Sequence, residues 1–203
     1  MIVYVETNFV LQLALRQEEA NAADAILERA QSDSIKLVLP AFSLSEPYST
    51  LTYRSLERRS IYNSLDQQLT LLRRSEPHRQ TALALQQLLS MWGDLETRET
   101  DWLHSAIVEI LMVGRAIQVE LEDIQQSALY RKLYDLSPQD AIILSVIVRD
   151  LGTQDADESK CFISTNVKDF RHPGIRAELK SLNCRYISKL ADSLDFIDNA
   201  GSA

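Results

Sequence analysis

Both ends of this chain alternate short apolar runs with helix-like segments, and the runs stop close to an acid or an amide. Residues 2–5 form a β-rich run that leads into Glu6, Thr7 and Asn8, ahead of amphipathic segments at 8–15 and 20–30. Residues 35–39 read as a second strand closed by Pro40, and helix signals resume near Ser43. Near the other end, residues 137–148 form an apolar helix with Ser137 as N-cap and Pro138 at its first position, where a missing N–H costs nothing. A strand at 161–164, a helix at 173–182, a strand at 184–187 and a helix at 189–196 follow. This order predicts an α/β fold with a mainly parallel sheet flanked by helices, because parallel neighbours are joined through a crossover.

The middle reads differently. From about residue 51 to 135 the sequence is rich in Gln, Leu, Ala and Arg, with Pro77 and Gly93 as its only strong punctuation. Apolar residues at three- and four-residue spacing predict helices at 61–73, 80–92 and 102–122, and no strand. We therefore expect residues 1–203 to form a single domain interrupted by a large helical insertion at about 51–135.

Four short segments carry the chemistry: Glu6-Thr7-Asn8, Ser43 to Glu46, Ser137 to Ala141 with Asp140, and Ser164 to Phe170 with Asn166 and Asp169. Acids at the carboxyl ends of parallel strands and on neighbouring helix starts can converge on one crevice, where hard divalent cations find oxygen ligands. Plainer readings exist for several of them. Ser43 with Glu46 fits a capping box and Ser137 with Asp140 imitates one, while Thr7, Asn8 and Asn166 are good caps. Glu6 has no evident capping use, and burying an ionised acid without a partner is costly. His78, His104 and His172 lack ligand spacing, and Ser137 and Cys161 have no base beside them.

Charge bears on the substrate. The chain has a net charge of −8. Between Thr52 and Gln80, however, six arginines, Arg54, Arg58 and Arg59 among them, face three acids. Such a strip can hold phosphates flanking an acidic centre, or can be a solvated helix face. Glu6 interrupts the apolar start and no Lys or Arg precedes it, which argues against a signal peptide. Cys161 and Cys184 are too few for a disulfide framework and read as buried strand residues, so a cytoplasmic location is expected.

An apolar strand followed by acid-Thr-Asn resembles the opening of PIN domains, which are Mg2+- or Mn2+-dependent ribonucleases. In order along the chain come Glu46 after the second strand, Asp140-Ala141 heading an apolar helix, and a strand running into Ser164-Thr165-Asn166 and Asp169-Phe170. The resemblance spans about residues 1–50 and 136–190. It implies Glu6, Glu46 and Asp140 as metal ligands, Asn166 or Asp169 orienting the water or a second ion, and Thr7 and Ser164 as supporting donors. It also implies hydrolysis of single-stranded RNA, leaving a 5'-phosphate and a 3'-hydroxyl. Many bacterial members are toxins of type II toxin-antitoxin pairs, so the resemblance allows a cognate antitoxin and a homodimer as partners. Three residues depart from the pattern. Glu6 stands where Asp is usual, Pro47 follows Glu46, and Asn166 falls at the fourth acidic position. A PIN-like scaffold acting as an RNA-binding or protein-interaction module is therefore a second expectation. A doubly wound nucleotide-binding protein is disfavoured, since no glycine-rich turn follows the first strand.

Overall fold

The computed structural model describes residues 1–200, apart from the side chains at 93, 94 and 200. The amino-terminal half runs β1 (Ile2–Tyr4), α1 (Thr7–Leu15), α2 (Ala20–Gln31), β2 (Lys36–Pro40), α3 (Phe42–Leu72) and α4 (Arg79–Val113). It continues with β3 (Arg115–Ile117), α5 (Leu121–Tyr134), α6 (Pro138–Leu151), β4 (Lys160–Ile163), α7 (Val167–Phe170), α8 (Pro173–Ser181), β5 (Cys184–Ile187) and α9 (Leu190–Ala200).

The strands form one sheet in the order β3-β2-β1-β4-β5, and every pairing is parallel. The predicted α/β architecture holds. Val3, Val5, Leu37, Leu39, Cys161 and Ile163 face one core with α1, α2 and α4, whereas Ile2, Tyr4, Val38 and Phe162 face a second core with α6 and α8. Burial on both faces explains why the strands are apolar throughout instead of alternating. Chain order departs from β1 toward β2 and β3 on one side and toward β4 and β5 on the other. The reversal between β1 and β4 is a topological switch point, where the strand ends leave a crevice.

Two expectations for the middle are corrected. Residues 115–117 form β3 at the sheet edge, hydrogen-bonded beside β2. Three residues are too few to display a strand period, so the helical pattern of 102–122 concealed them. Helix α4 ends at Val113 instead, and the Gly114 N–H closes it on the Ile110 carbonyl at 2.7 Å. A Cβ at Gly114 would stand 2.9 Å from that oxygen, closer than real Cβ atoms come. Gly93 is no breaker either, because α4 runs through it. One glycine costs about 1 kcal/mol in a helix, which packing along a long helix outweighs.

Helices α3 and α4 form a long antiparallel hairpin. Its base packs on α1 and β2, while its outer part surrounds, among the described residues, a small buried cluster of Leu69, Ala82 and Leu89. Midway along it, Arg58 makes a two-pronged pair with Glu99, at 2.7 Å for each bond.

Candidate metal centre

Each candidate acid is carried by an element ending at, or starting from, the crevice. Glu6 lies just beyond the end of β1 and is the N-cap of α1, with its Oε2 accepting from the Asn8 N–H at 2.9 Å. The expected caps Thr7 and Asn8 lie inside the helix. Glu6 thus does have a capping use, contrary to expectation, but this occupies one oxygen only. Its Oε1 is buried without a hydrogen-bond partner, and the residue is 3% exposed. Burial pushes the Glu6 pKa up to about 7, and Asp140 adds to the rise against the pull of the Asn8 N–H and the nearby Ser164 hydroxyl.

Glu46 sits in the second turn of α3. The capping box expected with Ser43 does not form, because α3 begins at Phe42 with Ala41 as N-cap and Ser43 buried inside the helix. Glu46 instead accepts a short hydrogen bond from the Thr7 hydroxyl. Pro47 lies within α3, so the helix neither starts nor ends at Glu46. Burial raises the Glu46 pKa, Thr7 opposes the rise and Asp140 reinforces it.

Asp140 is in the first turn of α6. The Ser137 hydroxyl accepts from its backbone N–H at 3.1 Å and donates to its Oδ2 at 2.6 Å. The capping reading is correct for Ser137, but Asp140 does more. Its Oδ1 accepts from the side-chain amide of Asn166 at 3.1 Å. Its pKa is raised by burial first and by Asp169 next, with Ser137 and Asn166 pulling it down. Asp169 is partly buried in α7 and makes no hydrogen bond or ion pair among the described residues. Ser164, at the end of β4, accepts from the Asn166 backbone N–H through its hydroxyl at 3.1 Å and from Tyr186 through its carbonyl at 3.0 Å.

Asp140 is therefore the hub. It feels Glu6, Glu46 and Asp169, and none of the four acids joins an ion pair among the described residues. Like charges gathered without a counter-cation destabilise one another, and oxygen donors of this kind suit a hard divalent ion. The unpartnered Glu6 Oε1 is an acceptor awaiting a donor or a cation. In chemistry the donor set fits Mg2+ or Mn2+. In position the fit is incomplete, since no three His, Cys, Asp or Glu among the described residues are drawn together closely enough to hold a metal.

The hairpin arginines are placed otherwise than expected. Arg58 and Arg59 are paired with Glu99 and Glu96 of α4, and only Arg54 of the three remains outside an ion pair among the described residues. Two of the six arginines of the strip that looked basic in sequence are thus neutralised by the helix folded against it. Counting charges along one segment could not reveal this, because the partners come about 40 residues later. At the opposite end of the sheet, Glu158 pairs with Lys36, which opens β2, so it is remote from the crevice. Both cysteines are buried, and burial raises both thiol pKa values, Cys184 to about 12, which suits structural residues.

An all-parallel sheet that brings acids to its switch point puts them where open α/β folds bind their ligands. A family model described as PIN domain matches residues 3–170, a span holding all four acidic segments, and the chain belongs to the PIN domain family. PIN domains are in general nucleases that act on nucleic acid and typically bind divalent metal ions. No curated protein and no solved structure matches the chain. No helix among the described residues is long and apolar enough to cross a membrane.

Proposed function

We propose that this protein is a metal-dependent endoribonuclease that hydrolyses phosphodiester bonds of single-stranded RNA. The observation that carries the reading is Glu6, an acid buried beyond the central strand, at the switch point, with one oxygen unpartnered and a second acid, Asp140, near enough to raise its pKa. Folding bears that cost without any compensating ion pair, as functional sites do. Glu6, Glu46 and Asp140 would hold Mg2+ or Mn2+, which when bound supplies an activated water at neutral pH and stabilises charge on the leaving oxygen. The chain's own groups orient these acids. Thr7 fixes one Glu46 oxygen, Ser137 and Asn166 fix the two Asp140 oxygens, and Ser164 holds the loop that carries Asn166. Asp169, without a partner of its own, is the group available to position water or a second ion.

A second reading, a PIN-like module for RNA or protein binding, draws support from the open arrangement of the acids and from the Asn166 amide occupying Asp140. Cleavage of labelled single-stranded RNA with Mn2+, Mg2+ or EDTA, by wild type and Asp140→Asn, separates the two. Metal-dependent cutting lost in the variant supports the nuclease, and no cutting by folded wild type supports the module. A cytoplasmic toxin role belongs to the first reading, and is tested by whether expression arrests growth and a neighbouring small protein relieves the arrest.

A further inference from the structure

Along the outer strand β5, α8 and β5 flank an open groove of about 530 Å3 lined by Arg176, Lys180, Arg185 and Tyr186, with no acid among its lining residues. None of the three cations forms an ion pair among the described residues, but the Arg185 guanidinium lies over the Phe196 ring of α9, 5.1 Å from its centroid, which leaves Arg176 and Lys180 as the cations the groove presents. Arg176 and Lys180 are four apart on α8 and so share a face about 6 Å apart along the axis. The one acid of α8, Glu178, is already engaged by the hydroxyls of Tyr130 and Tyr134 on α5. On a chain of net charge −8, this is a cationic pocket whose charge the fold leaves uncompensated.

The groove meets the acidic centre at its Tyr186 end, while Lys180 lies toward the start of β5, where Cys184 pairs with Lys160. Tyr186 lines the groove and also donates to the Ser164 carbonyl at 3.0 Å, next to the residues that hold Asn166. The same phenol lies within the electrostatic reach of Glu6 and of Arg171 and Arg176. Helix α8 and strand β5 lie beyond residue 170, outside the span matched by the family model.

We propose that the α8–β5 groove, through Arg176 and Lys180, binds backbone phosphates of the single-stranded nucleic acid on one side of the scissile bond. This rests on the nuclease reading and gives the substrate track a place other than the hairpin arginines. Cations beside an aromatic are the usual means of following a single strand without reading its sequence.

The test uses the full chain carrying Asp140→Asn, so that binding is read without turnover, and a fluorescein-labelled RNA of about 12 nucleotides. Anisotropy titrations run between about 50 and 200 mM KCl. Arg176→Ala with Lys180→Ala should raise Kd at least tenfold at the lower salt and reduce the log-log salt slope by about 1.4, the share of two phosphate contacts on a single strand. Arg73→Ala with Arg74→Ala removes the same charge at the hairpin end and should change Kd less than twofold. Equal losses in the two pairs, or an unchanged slope in the groove pair, overturn the proposal. With Asp140 restored, the groove pair should raise KM and leave kcat within twofold. Normal cutting with unchanged KM sinks the groove and spares the nuclease, whereas no RNA binding by any form sinks both.

Discussion

The side-chain amide of Asn166 donates to Oδ1 of Asp140 at 3.1 Å, so the residue at the fourth acidic position clamps its neighbour. Asn166→Asp would remove a donor and add a like charge. Divalent-ion affinity should rise about tenfold, equivalent to about 1.4 kcal/mol, as more negative charge faces the ion. Metal-free stability should fall. Calorimetric titration with Mn2+ decides, and weaker binding in the variant would mean that orientation by the amide matters more than charge.

Glu6 makes stability depend on pH in an unusual direction. Its folded pKa, about 7, lies above the ordinary 4.5, so between those values the folded state holds the extra proton. Stability is therefore greatest at the acidic end of this window and falls as pH rises through about 7, by about 3 kcal/mol in total. Urea unfolding of metal-free protein at pH 5 and pH 8 should show the decline. Glu6→Gln should flatten it and be the more stable protein at pH 8, while losing cleavage by about a hundredfold or more.

Helices α5 and α6 are joined by Arg149, which donates to both Asp123 oxygens at 2.9 and 3.0 Å and to the Gln118 carbonyl at 2.7 Å. Asp123 is only 1% exposed. Arg149→Ala would strand that buried carboxylate at a cost of about 3–5 kcal/mol. Thermal unfolding of Arg149→Ala beside Arg149→Ala/Asp123→Ala should show the double variant recovering part of the loss.

Gly114→Ala places a methyl 2.9 Å from the Ile110 carbonyl and 3.4 Å from that of Leu37. Backbone atoms cannot yield as a flexible side chain can, so a loss of about 1–3 kcal/mol is expected. Chemical denaturation of the variant checks it, and an unchanged midpoint would show that the α4–β3 junction can shift freely.

The outer segments were legible because each element is bounded by local signals. Ser137 and Pro138 start α6, and the apolar runs at β1, β2 and β4 needed only the parallel rule to become one sheet. Glu6 could be read because an acid at the end of a buried strand is costly wherever it occurs, and the other three acidic segments because they follow it in the order of the family pattern. What sequence could not give was pairing over distance. Arg58 looked free until Glu99 folded against it, whereas Arg176 and Lys180 were hidden by an interleaved Glu178 that turns to Tyr130 and Tyr134. The Glu6 cap and the Thr7–Glu46 bond likewise depend on where chain ends meet in space.

Pro47 gives α3 a soft root. Lacking an N–H, it cannot tie back to the Ser43 carbonyl, so the helix loses a bond one residue beyond Glu46. From there the helix continues for roughly 40 Å to its far end. Leu51, one turn further on, and the base of α4 are both packed in the core beside α1, so the missing bond eases the backbone next to the acid while the hairpin stays anchored.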